Sequence, residues 1–306
     1  MLLQDYDTTI QFTATVVTTE RITPAATEEV REIQLDIDKK GFTASAGQSI
    51  GVLAPGQREF GQKHHFRLYT IADMPEHKGA VTRVKLCVKR CNYVDEYSGE
   101  SYPGVASNYL CSLKPGDKIL MTGPYGLAFP VPDEAGANLI LIGAGTGIAP
   151  FRAFIRHLNA VKPAFTGKVR LFHGARSGLD LLYKNQQKND LTLYYDHPTF
   201  VAIEALGKRP HWSDDIDWDG AVQSRGAEIG KLLDDSKTYV YVAGLEKVRD
   251  QLDKVFAEVV GTPARWARRK AELVAGKRWL ELLYGGRAIR GAGPPLEVPN
   301  SVEAAS

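Results

Sequence analysis

Between positions 10 and 130, apolar residues recur in short alternating runs, the two-residue period of half-buried strands. The runs at 12–17, 30–37, 49–53, 67–71, 81–89 and 118–122 are punctuated by Gly41, Gly47, Pro55-Gly56, Pro103-Gly104 and Pro115-Gly116. That pattern predicts an antiparallel barrel with one short helix, 109–113, over its end. Pro130 to Gly136 reads as a linker between residues 1–132 and a second domain over 137–284. From Ala137 the pattern changes to apolar strands at 139–142, 169–173, 192–195 and 239–242. Helical stretches are expected at 150–161, 180–188, 228–233, 248–260 and 263–284. Alternating strand and helix implies an α/β domain built on a parallel sheet, with ligand sites outside the carboxyl ends of its strands. The last 22 residues, 285–306, are rich in Gly and Pro and read as a tail without a regular element.

A chain of 306 residues is long enough for two separate cores, and 43% hydrophobic with 24% charged residues is an ordinary globular balance. The formal charge of +2 argues against a nucleic-acid role and leaves any partner electrostatics local. No run of apolar residues is long enough for a membrane span. The first residues lack a basic region followed by a long apolar stretch, so a cytoplasmic protein is the default expectation. Cys87, Cys91 and Cys111 are too few to bind an ordinary iron-sulfur cluster, so any cluster in an electron path must sit on another protein. The interval between Cys87 and Cys91 puts both on one face of a strand, where buried thiols are expected.

The chemistry is most visible at Gly143-Ala144-Gly145-Thr146-Gly147-Ile148-Ala149-Pro150, directly after the apolar run 139–142. A buried strand that ends in a glycine turn and opens a helix offers free backbone N–H groups to a phosphate. Ile148 stands where a dinucleotide fingerprint would have its third glycine, and Pro150 falls in the first helical turn, where a missing N–H is tolerated. Upstream lie Arg67-Leu68-Tyr69-Thr70, the run Cys87-Val88-Lys89-Arg90, and Gly104-Val105-Ala106-Ser107-Asn108 at a helix start. Each alone is equally readable as core or surface; their order and intervals are the informative part.

In that order the chain resembles plant-type ferredoxin-NADP reductases. The resemblance runs from about Arg67 to Tyr284 and includes Thr122-Gly123-Pro124, Leu181-Leu182-Tyr183-Lys184 and Gly244-Leu245. It implies FAD bound by the front barrel and NADPH, in preference to NADH, bound by the rear sheet. A ferredoxin or flavodoxin would be the electron partner. It implies that Tyr69 packs beside the flavin, with Leu68 next to it, Arg67 facing the FAD diphosphate and Thr70 placing a hydroxyl at the flavin's reactive edge. Cys87 and Lys89 fall in the family's Cys-Val-Lys-Arg run, Lys89 as a cation for cofactor phosphate and Tyr93 as a stacking surface for adenine. Gly104, Val105, Ala106 and Ser107 would complete the FAD phosphate site. On the nicotinamide side, Gly145, Thr146 and Gly147 would take the diphosphate and Gly244-Leu245 would lie against the nicotinamide half. Tyr284 would be the ring that stacks on the flavin until nicotinamide displaces it. Thr70 and Tyr284 are thus the candidate catalytic residues, and no metal site is expected. Trp279 reads as a core residue.

Three departures matter. Ala243 stands where the family has cysteine before the glycine. Leu282 stands where it has glutamate, with Glu281 one place early. Asp219 falls where a lysine would help hold the 2'-phosphate, leaving Arg176, Lys208, Arg209 and Arg225 as alternative cations. An NADH-dependent reductase of an oxygenase system, or a flavin-bearing interaction subunit without catalysis, are the rival readings. The basic set Arg265, Arg268, Arg269, Lys270, Lys277 and Arg278 reads either as a solvated face or as a docking patch for an acidic partner.

Overall fold

The structure, a computed structural model, describes residues 3–56, 61, 63–94, 98–126, 130–161, 163, 165–194, 199–209 and 215–284; the 285–306 tail lies outside them. In the first half, strands β1 (Gln11–Arg21), β2 (Val30–Ile37), β3 (Ser49–Pro55), β4 (His64–Thr70), β5 (Glu76–Lys78), β6 (Val81–Lys89) and β9 (Lys118–Tyr125) make one antiparallel sheet. Its order is β4-β3-β9-β1-β2-β6-β5. An Ile71–Leu86 pair and an Ala72 N–H bond to the Lys85 carbonyl at 2.8 Å bring the end of β4 back onto β6. This closes the sheet into a barrel and removes the β4 edge there. Alternation explains the filling: Phe12, Ala14 and Val16 of β1 and Ile33, Leu35 and Ile37 of β2 point inward. Helix α1 (Val105–Ser112) plugs one end with Leu110 and Cys111, and a hairpin of β7 (Asn92–Val94) and β8 (Ser101–Pro103) projects beside it.

The second half is a five-stranded parallel sheet ordered β12-β11-β10-β13-β14, from β10 (Asn138–Ala144), β11 (Val169–Ala175), β12 (Phe200–Leu206), β13 (Thr238–Leu245) and β14 (Trp279–Tyr284). All seven residues of β10 are buried, as expected of a central strand covered on both faces. Helix α2 (Ala149–Val161) covers one face through Phe151, Phe154, Ile155 and Leu158. Helices α3 (Trp218–Gln223), α4 (Gly226–Asp234), α5 (Lys247–Val260) and α6 (Pro263–Ala275) cover the other. The chain runs outward from β10 through β11 to β12, then crosses to β13 and β14. Strand order therefore reverses between β10 and β13, the position at whose carboxyl ends such sheets bind their ligands.

The two domains share a core. Ile22, Val30, Ala72 and Cys87 of the barrel are buried in one cluster with Phe151, Phe154, Leu182 and Tyr183 of the second domain. Cys91, by contrast, lies beyond the end of β6 and is exposed, so the two thiols do not share a strand face.

Three expected elements differ. A helix over 180–188 does not form: a 3-10 turn at Gly178–Asp180 stops, and Tyr183 takes φ +61°. The Asn185 side chain accepts the N–H groups of Gln187 and Lys188 at 2.9 and 3.1 Å, drawing the backbone into a turn. The run near 192 is a 3-10 turn, Leu191–Tyr194, and the third parallel strand is β12 instead. The final long helix breaks at Gly276 and Lys277 (φ +54°), after which Trp279 to Tyr284 form β14. Trp279 does pack in the core, its ring against Trp266 at 5.5 Å, but from a strand.

Candidate functional site

Every residue of β4 is half-buried, so this strand offers a continuous polar and aromatic surface beside the barrel core. Tyr69 packs its ring against that core, where burial pushes its hydroxyl pKa well up and keeps it protonated. The Thr70 and Ser49 hydroxyls are 3.3 Å apart across the β4–β3 pair. Arg67 donates to the Phe66 carbonyl at 2.7 Å, and among the described residues no carboxylate pairs with it. Burial lowers its pKa. A half-buried guanidinium lacking a counter-charge is a seat for an anion.

Helix α1 begins at Val105 after the N-cap Gly104, which has no side chain to cap its first N–H groups. A Cβ on Gly104 would lie 2.9 Å from the Cys91 carbonyl and 3.0 Å from the Ser107 hydroxyl, so glycine lets the chain leaving β6 lie against the helix start. Ser107 accepts the Cys91 N–H at 3.2 Å and ties the two segments together. On the neighbouring hairpin, Tyr93 stacks on Tyr102 with centroids 5.6 Å apart, both rings exposed. Tyr102 escapes sequence reading because it stands in no run of its own. Its signal is the cross-strand register of a three-residue hairpin.

In the second domain, Gly145, Thr146 and Gly147 lie in a 3-10 turn between β10 and α2, again without a side-chain cap. A Cβ on Gly147 would sit 2.3 Å from the Ala243 carbonyl oxygen. Only glycine admits this approach, and it brings the turn against Gly244-Leu245 at the end of β13. Leu245 pairs in register with Tyr284, so Tyr284 ends the neighbouring strand at the same edge. Leu280 and Leu282 of the same strand pack toward the interdomain core. Glu281 projects to the opposite face, held by Arg249 at 2.8 Å and the Trp279 indole at 2.7 Å, so it does not replace the glutamate missing at Leu282.

Not every expected residue joins this cleft. Cys87 is buried in the interdomain core, where burial pushes its thiol up to about 12 and favours the protonated form. The Tyr183 hydroxyl is buried beside that thiol, and burial keeps it protonated. Lys89 and Arg176 meet on one carboxylate oxygen of Glu28, at 2.5 and 2.6 Å. Arg225 pairs with Glu228 at 3.3 Å and Lys208 with Asp217 at 3.5 Å. The basic helix α6 is largely neutralised: Arg268 pairs with Glu272, Arg269 with Asp234 and Lys270 with Asp253. It leads into the amino end of β14, roughly 20 Å of strand from Tyr284 at about 3.3 Å per residue, which makes it a poor seat for a partner of this cleft.

What joins the two halves is a buried charge network that the sequence hides. Arg152 of α2 sits 2.9 Å from Asp73 and donates to the Ala72 carbonyl at 3.2 Å, both just past β4. Asp73 also binds Lys85 at 2.9 Å and Arg156 at 2.5 Å, and Glu32 lies 3.6 Å from Arg152. Asp190 completes the set on Arg152, whose guanidinium lies 4.6 Å from the Tyr183 ring centroid. Burial would raise the Asp73 pKa, but Arg152, Lys85 and Arg156 outweigh it and hold the carboxyl below its ordinary value. Among the described residues no helix is long and apolar enough to cross a membrane, and no group of His, Cys, Asp or Glu is arranged to hold a metal.

Comparison with known proteins agrees with this two-part layout. Residues 14–129 match the oxidoreductase FAD-binding domain and residues 141–253 the oxidoreductase NAD-binding domain. The chain is 31% identical over 267 residues to a ferredoxin–NADP reductase of Picosynechococcus sp., covering 83% of this chain and 65% of that protein. It thus spans just under two thirds of that relative. It is 33% identical over 291 residues to the root-type chloroplastic ferredoxin–NADP reductase of Nicotiana tabacum, covering 89% and 75%. The solved ferredoxin-NADP+ reductase from Plasmodium falciparum shares the fold, with a TM-score of 0.68 at 19% identity over 91% of this chain and 98% of that one. The chain belongs to the ferredoxin–NADP reductase family.

Proposed function

We propose that this chain is an FAD-dependent oxidoreductase that moves electrons between NADP(H) and a separate ferredoxin or flavodoxin. One observation carries the reading: β4 with Tyr69 and the glycine turn Gly145–Ile148 belong to different domains, yet the buried Asp73–Arg152 contact ties the segments that follow each of them. The residues present fit FAD, since Arg67, with no carboxylate partner among the described residues, and the uncapped start of α1 are complementary to a diphosphate, and β4 supplies an aromatic wall. Bound there, FAD would supply the redox chemistry, taking a hydride from the nicotinamide and passing electrons on singly.

The chain's own residues then do the holding. Tyr69 and Leu68 would support the flavin ring, Thr70 would offer it a hydroxyl, and Tyr284 would be the residue that shields the ring from water until nicotinamide binds. Tyr93 and Tyr102 offer a stacking surface for adenine, and Ser107 keeps the start of α1 in position. The Gly145-Thr146-Gly147 turn receives the dinucleotide diphosphate and Gly244-Leu245 the nicotinamide half. Three free cysteines, none in a disulfide, fit a reducing compartment such as the cytoplasm.

A second reading, NADH as the donor, is favoured by the pairing of Arg176, Lys208 and Arg225 with carboxylates of this chain. The test is reduction of an added [2Fe-2S] ferredoxin, and in parallel a flavodoxin, with NADPH or NADH as donor. Turnover with neither acceptor from either nucleotide would refute the proposed function.

A further inference from the structure

Two cations that the sequence offers for cofactor phosphate, Lys89 and Arg176, do not point at open solvent. Lys89 closes β6 in the barrel domain, and Arg176 follows the carboxyl end of β11 in the nucleotide domain. Their charged ends converge on a single oxygen, Oε2 of Glu28, at 2.5 and 2.6 Å. Glu28 lies in the loop between β1 and β2. Its neighbour Glu29 is engaged elsewhere, by Arg90 at 2.7 Å and Arg31 at 2.5 Å, so among the described residues Glu28 alone serves the two cations. All three side chains are between 40 and 47% exposed, so the arrangement contributes little to stability and opens readily.

Two cations supplied from opposite sides of a domain boundary, at the ligand edge of a parallel sheet, form an anion site. Here a carboxylate of the chain itself occupies that point. We infer that Glu28 is an internal competitor for a phosphate group of the nicotinamide dinucleotide: the ligand must displace its carboxylate from Lys89 and Arg176 to bind. This rests on the nucleotide-binding reading above and adds to it a residue that sets how strongly phosphate is selected. The phosphate belongs either to the diphosphate, common to NADP+ and NAD+, or to the 2'-phosphate of NADP+ alone.

The experiment is calorimetric titration of the FAD-loaded protein with NADP+ and with NAD+, comparing wild type with E28Q. Removing the competing charge is expected to tighten binding roughly fivefold, the scale of one or two exposed ion pairs, and to steepen the salt dependence. An equal gain for both nucleotides assigns the site to the diphosphate, and a gain for NADP+ alone assigns it to the 2'-phosphate. E20Q removes a similarly exposed carboxylate, one that pairs with Lys188, and should leave both affinities unchanged. In R176Q the effect of E28Q should shrink or vanish. Binding by E28Q that is unchanged or weaker, or a gain of the same size in E20Q, overturns the inference while leaving the nucleotide reading intact. Wild-type protein that binds neither nucleotide overturns both.

Discussion

His173 shows what a single residue contributes apart from the cleft. It is buried in β11 with neither ring nitrogen hydrogen-bonded among the described residues, and burial, with a smaller effect from Lys184, lowers its pKa to about 3. The folded state therefore keeps it neutral while the unfolded chain protonates near 6.5. Between those values the unfolded state binds more protons, so stability falls as pH drops, by about 1.4 kcal/mol per pH unit for one such site. Denaturant titrations from pH 6.5 to 4.5 should show this slope, and His173→Leu should flatten it. His65, lowered to about 4 by burial and by Arg67, acts in the same direction. On the flavin side, Tyr69→Ala removes the aromatic wall of β4. Losing a stacked ring is expected to weaken FAD retention roughly tenfold or more, measured by flavin released on gel filtration, while Tyr69→Phe keeps it.

At the scale of elements, the site depends on two chain ends meeting without a side chain between them. The Gly147→Ala methyl would fall 2.3 Å from the Ala243 carbonyl and force the turn and the end of β13 apart. We expect a stability loss of about 1–3 kcal/mol from overpacking and weakened NADP+ binding with FAD still bound, a split readable by calorimetry and flavin absorbance. Much of this layer is legible in the sequence. The strands 30–37 and 81–89, the glycine turn and the helix that follows it are where alternation and glycine spacing predict. What misleads is local: Asn185 and the left-handed Tyr183 undo a helical pattern, and Gly276 separates α6 from a strand whose apolar residues continue the helical rhythm. An edge strand such as β12, only partly buried, carries too weak a period to be seen.

For the whole molecule, the legible part is each domain and the illegible part is their relation. Nothing in the spacing of Glu32, Asp73, Arg152 and Asp190 announces that they meet, because ion pairs across domains leave no periodic trace. Their effect is nevertheless large. Asp73→Asn leaves Arg152 buried beside one charge fewer, and breaking a buried pair in this way costs about 3–5 kcal/mol. We expect the two domains to separate into distinct calorimetric transitions. Asp73 also stabilises wild type above its unfolded pKa, and this contribution is lost as pH falls through the lower folded value. This loss sets in at lower pH than the His173 effect, so acid weakens the second domain before it releases the Asp73 contact.

The most direct measurement is an anaerobic titration of the purified protein with NADPH and with NADH, followed by flavin absorbance. If β4 and the glycine turn form one cleft, the protein is yellow as isolated and is bleached by about one equivalent of nucleotide. A colourless protein, or a yellow one that neither nucleotide bleaches, contradicts the account.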